Sequence, residues 1–516
     1  MTTDAAPFLI RAALCAFLPC AGAAQDAPLS VIDWLDNNPE RATPVAMPAP
    51  EEPPVARSGR VPDVETQPLA EPAMRRIGLV PPDVTGLSDD LWLGSDAIRL
   101  TDLLDRLPEL ELPAAQSLLY TVLLAEALEP PADPGPQDLF ALARIETLWR
   151  YGALEPALAL IEQAGPTRDA AHFSAYVDIS LLTGDEDAAC ATLVANPQLA
   201  PTLAHSVFCT ARSGDWTTAA LMFDSGRVLG RFDATETELL DRFLNPDLFE
   251  NAGPLAQTAD ISPLAFRLHE TIGEPLPTGS LPRAYAVADL RDLAGWKAQL
   301  EAAERLTRTG ALPDNRLLGI YTARLPAASG GIWDRVAALQ QFETALSTGS
   351  AEAVGKTLPD AWSAMQDARL EVSFAALFAA ELEEIDLVGP AARIAYDMRL
   401  LSPGYEAAAQ DETLQHRAIP RGIALGRMAG LRVEDPVAEA IQRGLEGEAL
   451  DPAIVRAAGE GRLGEAILRT LYLLGDGTHG DTQALASAIG TLRKLGLEDT
   501  ARRAGLELIL LDRFSG

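Results

Sequence analysis

Basic residues are scarce in this sequence: 41 Lys and Arg stand against 74 Asp and Glu among 516 residues, a formal net charge of −33. Recognition of phosphate backbones needs clustered Lys and Arg side chains, so this balance argues against nucleic-acid binding. It also disfavours docking to anionic membrane surfaces. With 48% hydrophobic residues, the chain is too apolar to be disordered throughout. We expect a folded, acidic protein whose surface favours basic protein partners.

Long apolar runs are missing beyond the N-terminus. No stretch after residue 24 is long and apolar enough for a transmembrane helix, so we expect no integral membrane segment in the mature chain. The apolar run 12–24 has the length of a secretory hydrophobic region with its cleavage site, and Ala21 and Ala23 supply the small residues that cleavage needs. The sequence therefore predicts a signal peptide at 1–24 and a periplasmic protein.

Cysteine is rare, and only Cys190 and Cys209 of the four cysteines remain after that cleavage. An oxidising compartment would let them pair. Each lies in a predicted helix, and the midpoint between them falls in the break 196–201. Residues equidistant from the turn of an antiparallel helical hairpin lie side by side, so a disulfide is within reach. The alternative is two buried thiols in a helix interface.

Sequence motifs for catalysis and for metal or cofactor binding are also lacking. No two of the five histidines lie within five residues of each other, and Gly-x-Ser-x-Gly is absent. Gly355-Lys356-Thr357 resembles the end of a phosphate loop, but its other glycine is misplaced and no strand precedes it. We therefore predict no catalytic residues, no metal ligands and no cofactor, and hence that the protein is not an enzyme.

Proline is abundant in only one region, with 12 prolines between Pro28 and Pro82. This composition favours extended, solvated chain, so 25–85 is predicted to be a disordered, Pro-rich linker. Its short apolar segment 30–36 contains Val31, Trp34 and Leu35, which follow the i, i+3, i+4 spacing of a helix face. Three interpretations stay open: the segment docks on a partner, it docks on the protein's own body, or it is residual hydrophobicity near the cleavage site.

From Asp89 onward the chain is rich in Ala and Leu with helical periodicity, broken every 12–18 residues by Gly, Pro, Asn or Asp. Similar breaks recur, each a Gly followed five residues later by a small Ala: 152–157, 184–189, 214–219, 461–466 and 496–501. Gly ends one helix, and the Ala lets the next helix approach closely. One such hairpin cannot bury its own apolar face, so it stacks on its neighbour.

This pattern resembles the tetratricopeptide repeat, whose turn reads Gly-Asp-aromatic-x-x-Ala, as in Gly214-Asp215-Trp216 with Ala219. The resemblance covers roughly 136–230 and 450–512. It implies an all-α solenoid of antiparallel helical hairpins that binds peptides or proteins and usually lacks catalytic activity.

The predicted domains after the linker are an N-terminal helical-hairpin lobe at 86–230, an irregular connection at 231–285 and a C-terminal lobe at 286–516. Trp216, near a predicted helix start, is expected in the core.

These observations favour a periplasmic protein-binding scaffold, assembly factor or chaperone for an envelope machine. The alternative is an enzyme or accessory factor acting on the cell wall, which a cavity with a strongly perturbed carboxylate would favour. A purely structural role is the third possibility. The identity of the partner, the pathway and the oligomeric state cannot be read from the sequence.

Overall fold

The computed structural model describes residues 75–131, 138–255, 260–291, 293–411 and 417–511. The predicted signal peptide 1–24, the apolar segment 30–36 with Val31, Trp34 and Leu35, and most of the predicted linker lie outside the described residues.

Almost all regular structure in these residues is helical. The first elements are β1 (Arg76–Ile77), α1 (Pro82–Thr85), α2 (Ala97–Asp105), α3 (Pro113–Leu124) and β2 (Ala127–Leu128). They are followed by α4 (Leu139–Tyr151), α5 (Leu154–Ala164), α6 (Ala170–Thr183), α7 (Glu186–Ala195), α8 (Leu203–Arg212), α9 (Trp216–Val228), α10 (Ala234–Leu244) and α11 (Pro263–Thr271).

All regular secondary structure in the described residues of the second half of the chain is helical. They are α12 (Ala286–Asp289), α13 (Trp296–Thr307), α14 (Asp314–Thr322), α15 (Ile332–Ser347), α16 (Ala351–Ala368), α17 (Glu371–Glu383) and α18 (Gly389–Leu401). The last group is α19 (Tyr405–Gln410), α20 (Ala418–Ala424), α21 (Pro436–Leu445), α22 (Pro452–Gly459), α23 (Leu463–Thr478), α24 (Thr482–Lys494) and α25 (Glu498–Leu510). The all-α prediction is confirmed.

Local sequence explains where these helices begin and end. Asp169 caps α6 by accepting from the N–H groups of Ala171 and His172, and Asp233 and Glu236 form a capping box at the start of α10. The helix α6 ends at Gly184, whose φ of 88° is the left-handed conformation that glycine adopts without strain. The predicted break at this glycine is therefore a helix C-terminus.

Helices that follow one another in the chain pack against one another, as a stack of hairpins requires. Each helix from α4 to α10 contacts the next, and so does each helix from α12 to α19. The predicted α-solenoid is confirmed. The stretch 231–285, predicted as irregular, contains α10 and α11 together with three short 3₁₀ turns (Pro246–Leu248, Thr278–Ser280 and Arg283–Tyr285).

The C-terminal hairpins pack with their backbones in close contact. A Cβ atom at Gly490 of α24 would lie 1.8 Å from the carbonyl oxygen of Ala449, and one at Gly444 of α21 would lie 2.7 Å from that of Ala486. Only glycine fits at such distances. The small residues of these helices therefore bring the backbones together.

The first described helices pack on the last ones. Gly464 donates its N–H to the carbonyl of Leu91 at 3.0 Å, and the N–H of Ala114 donates to both carboxylate oxygens of Glu507 at 3.0 Å. Trp92 is fully buried, and a Cβ at Gly464 would lie 2.3 Å from its ring. Residues at the two ends of the solenoid are thus in direct contact.

The first strand also belongs to the folded body, although sequence assigned it to the linker. β1 pairs antiparallel with β2, and Ile77 is fully buried. The buried guanidinium of Arg144 donates to the carbonyls of Ile77, Leu123 and Ala125 and to Glu129. One arginine therefore ties this strand to α3 and α4.

Candidate functional site

The segment from α7 to α10 contains the predicted cysteine pair. The Sγ atoms of Cys190 in α7 and Cys209 in α8 lie 2.01 Å apart, which is disulfide-bonding distance, and both side chains are buried. The hairpin turn between them contains the 3₁₀ turn at 197–199. The pairing predicted from the hairpin geometry is present, and it fixes α7 against α8.

Aromatic side chains form the core of the next two helices. Phe223 of α9 is buried, with its ring centroid 5.7 Å from that of Phe232. Phe243 of α10 lies 5.5 Å from Phe208 and 5.4 Å from Trp216, measured between ring centroids. Such tilted aromatic contacts hold α9 against α8 and α10.

Four large apolar side chains of α9 and its C-cap are exposed to solvent. Trp216 is 48% exposed, Leu221 67%, Val228 84% and Leu229 73%. Leu221 and Val228 are seven residues apart, two helical turns, and therefore lie on one face. Together these four residues are called the α9 surface. The expectation that Trp216 belongs to the core was wrong: its ring packs on Phe243, but the residue is 48% exposed, since no helix among the described residues covers α9 there.

The surroundings of this surface are acidic. Residues 185–250 contain eleven Asp and Glu and four Arg. Three of these arginines are engaged in ion pairs: Arg212 with Asp187 at 2.6 Å, Arg227 with Asp224 at 2.9 Å and Arg242 with Glu238 at 2.8 Å. Negative charge therefore remains in excess around the apolar face.

Asp215 sets the start of α9. Its carboxylate accepts from the N–H of Thr218 at 3.0 Å, which caps the helix. Hydrogen bonds from the Thr218 hydroxyl and N–H lower the pKa of Asp215. The Gly-Asp-Trp motif thus has two separate roles: Asp215 begins the helix and Trp216 contributes to its exposed face.

The described residues contain no group of three or more His, Cys, Asp and Glu side chains placed to hold a metal ion. Two of the histidines there contact residues of their own helix N-terminus. His172 Nδ1 lies 3.0 Å from Asp169 Oδ2, and His205 Nδ1 lies 2.9 Å from the Thr202 hydroxyl. Both contacts belong to helix N-termini.

One carboxylate is strongly perturbed. Burial raises the pKa of Glu129 to about 7, and the Arg144 guanidinium, 2.9 Å away, opposes that shift. Arg144 also binds three backbone carbonyls, so the pair holds β1 and β2 in place. This arrangement is a structural ion pair, and Glu129 faces Arg144 rather than an open cleft.

The predicted docking residues Val31, Trp34 and Leu35 cannot be placed relative to the α9 surface, since they lie outside the described residues. The four residues of the α9 surface were missed by sequence reasoning. Their signal was present in α9 itself, where Leu221 and Val228 lie opposite the buried Ala219 and Phe223.

Among the residues that the structure describes, no helix combines the length and the apolar character needed to cross a bilayer. In comparisons with known proteins, the chain matches no family model, no curated protein and no solved structure.

Proposed function

We propose that this protein is a periplasmic protein-binding scaffold, assembly factor or chaperone for an envelope machine, and that it docks a protein partner on the α9 surface. The observation that carries the proposal is that four of the ten exposed large apolar side chains among the described residues, Trp216, Leu221, Val228 and Leu229, belong to one helix and its C-cap. Exposed apolar side chains with polar groups beside them are typical of interaction sites, and the exposed Thr217, Asp224 and Ser225 lie on the same side of α9 as Leu221 and Val228.

The fold supports this role. A stack of helical hairpins has an extended surface on which a protein can bind, and this role requires no catalytic centre. We propose further that the hairpins are degenerate tetratricopeptide-like repeats, whose best match, Gly214–Ala219, opens α9 itself. The family's usual task of binding peptides and proteins fits a surface that begins at this motif.

The charge around the α9 surface indicates which kind of partner segment it favours. Eleven acidic residues against four arginines at 185–250 favour a basic segment, and the apolar side chains of α9 favour one with large apolar anchors. Trp216 presents both a flat apolar ring and an indole N–H, a combination enriched at interaction hot spots. We therefore propose a partner segment that combines Lys or Arg with Leu, Ile or aromatic residues.

Two observations support the periplasmic location. The apolar run 12–24 has the form of a secretory signal. Cys190 and Cys209 lie at bonding distance, and disulfides persist in oxidising compartments. The perturbed carboxylate Glu129 adds no support for the cell-wall alternative, because it is bound to Arg144.

The direct test is a photo-crosslinking residue placed at position 221 in intact cells. The control is the same residue at position 325, where Leu325 is also exposed (83%, against 67% for Leu221) but lies in the loop after α14. A defined envelope protein captured at 221 and not at 325 is the expected result. Equal capture at both positions, or none at 221, would contradict the α9 surface as the docking site.

The purified partner then allows affinities to be compared. We expect Leu221→Asp and Val228→Asp each to weaken binding by about tenfold or more, since each replaces an apolar anchor with a carboxylate that must be desolvated against the apolar side chains of the partner. Leu325→Asp is the matched control and leaves affinity unchanged. A Trp34→Ala variant distinguishes docking on the segment 30–36 from docking on the α9 surface. If this variant, with α9 unchanged, captures less of the partner, docking takes place on the segment 30–36.

A further inference from the structure

Two adjoining cavities lie where distant parts of the chain meet. The first, of about 160 Å³, is lined by the start of α3, the end of α13, the start of α17 and Arg503 of α25. The second, of about 550 Å³, shares Gln116, Arg308 and Arg369 with it. A water molecule occupies about 30 Å³ in the liquid, so the first cavity has room for a small charged group.

The smaller cavity is rich in positively charged side chains. Arg308, Arg369 and Arg503 line it, and the one acidic residue in its lining is Asp314. This three-to-one excess of positive charge reverses the balance of the chain, in which acidic residues outnumber basic ones by 74 to 41. The three residues come from different helices or helix ends, so folding brings them together.

The guanidinium groups that line this cavity have N–H donors without a partner among the described residues. Arg308 Nε donates to the carbonyl of Ala368 at 2.6 Å and its Nη2 to Glu304 at 3.0 Å, which fixes the side chain and leaves Nη1 without a partner among the described residues. The side chains of Arg369 and Arg503 make no hydrogen bond or ion pair within the described part of the chain. The nearby Arg335, which does not line this cavity, binds Glu304 through its Nε and Nη2 atoms with two bonds of 2.9 Å.

An uncharged donor completes the lining. Thr307 is buried, and its hydroxyl has no hydrogen-bond partner among the described residues. Buried polar atoms are normally satisfied, so this hydroxyl in the cavity wall is available to hydrogen-bond a group that enters the cavity. Burial lowers the pKa of Arg308, and the nearby charge of Arg369 acts in the same direction against Glu304. An anion in the cavity would relieve this crowding of positive charge.

The backbone at Arg369 is also unusual. Its φ of 57° lies in the left-handed region, which only one other non-glycine residue among those described adopts, Asp138. Glycine is the residue that ends a helix most easily in this conformation. The chain places an arginine there instead, at the rim of both cavities.

We propose that this cavity binds the carboxylate or phosphate group of a small ligand, with Arg308, Arg369 and Arg503 as its cationic partners and Thr307 as a neutral donor. Guanidinium forks match the paired oxygens of both groups. The site is separate from the α9 surface, and its ligand would bridge helices from three parts of the chain.

Isothermal titration calorimetry and thermal unfolding of the full-length mature protein test the proposal. The probes are inorganic phosphate, acetyl-Ala-Ala with a free carboxylate, and the same peptide as its C-terminal amide. We expect phosphate or the free carboxylate to bind and to raise the unfolding midpoint, while the amide does neither. Which of the two binds identifies the group that the site takes.

Three variants locate the binding. Arg369→Gln and Arg503→Gln are each expected to lower the affinity about tenfold, the effect of losing one charged contact. Thr307→Val is expected to weaken binding less and to leave the unfolding midpoint unchanged or higher, because it removes an unpartnered hydroxyl. Arg432→Gln is the control, since that arginine is 90% exposed and pairs only with Glu434.

Failure to bind either phosphate or the free carboxylate would overturn the proposal. So would binding that is as strong in Arg369→Gln and Arg503→Gln as in the wild-type protein.

Discussion

The C-terminal hairpins and the α7–α10 segment are built from the same kind of helix pair, yet helix backbones touch in the first, whereas one helix of the second exposes large apolar side chains. In the C-terminal hairpins, Gly490 and Gly444 bring helix backbones into contact. In α9, Leu221 and Val228 point away from the core, and no helix in the described part of the chain covers them. The comparison shows that one repeated unit supports two uses, which depend on whether a further helix packs on it.

The largest effect is expected where backbones touch. Gly490→Val would place its side chain against the carbonyl of Ala449, so we expect a loss of more than about 3 kcal/mol of unfolding free energy, or failure to fold. Gly355→Ala is the control, because a Cβ there meets nothing within 4 Å. It should leave stability unchanged or raise it by about 0.5–1 kcal/mol. Urea denaturation of both variants measures these changes in unfolding free energy.

The disulfide is expected to stabilise the open region. Cys190 and Cys209 close a loop with a sequence separation of 19, for which chain entropy predicts about 3 kcal/mol. We expect the Cys190→Ala, Cys209→Ala double variant to expose α7 and α8 to early proteolysis, while the C-terminal hairpins stay protected. Uniform cleavage along the chain would show that the two regions unfold together. Mass spectrometry under non-reducing conditions checks the bond itself.

Truncation of an apolar side chain should lower the unfolding free energy more in the C-terminal hairpins than in α9. Ile489 of α24 is fully buried, so Ile489→Ala should cost about 2–5 kcal/mol. Leu221→Ala in α9 should change stability by no more than about 0.5 kcal/mol. Chemical denaturation of both variants measures the contrast. A large loss for Leu221→Ala would mean that the α9 surface is covered within the protein, as docking of the leader would require.

The smallest effect concerns pH. The folded-state pKa of Asp215 is lowered, so its contribution to stability is present above its ordinary value of 3.8 and is lost as pH falls through the lowered value. We expect hydrogen exchange of the first turn of α9 to quicken on acidification more than that of α24. In Asp215→Ala this extra acid sensitivity should disappear. If it persists, another group is responsible.

Sequence reasoning succeeded where the deciding contacts are local. The helices follow from periodicity and breaks, and the pairing of Cys190 with Cys209 follows from a hairpin turn midway between them. It failed where distant segments meet. Nothing near Ala114 indicates that its N–H binds Glu507, and nothing near Arg369 indicates that Arg503 shares its cavity. The exposure of Trp216 was missed for the same reason, since it depends on which helix packs outside α9.

The contact between the first and last helices has a consequence for how the chain folds. Ala114 and Glu507 are 393 residues apart, so their pairing belongs to the slow, non-local class of folding events. During synthesis Trp92 can pack early on Phe140 of α4, since their ring centroids lie 4.7 Å apart, but its contact with Gly464 forms only after α23 has been made. Part of the apolar surface of the first described helices therefore stays uncovered until the last helices are complete, and this interval favours aggregation of the nascent protein.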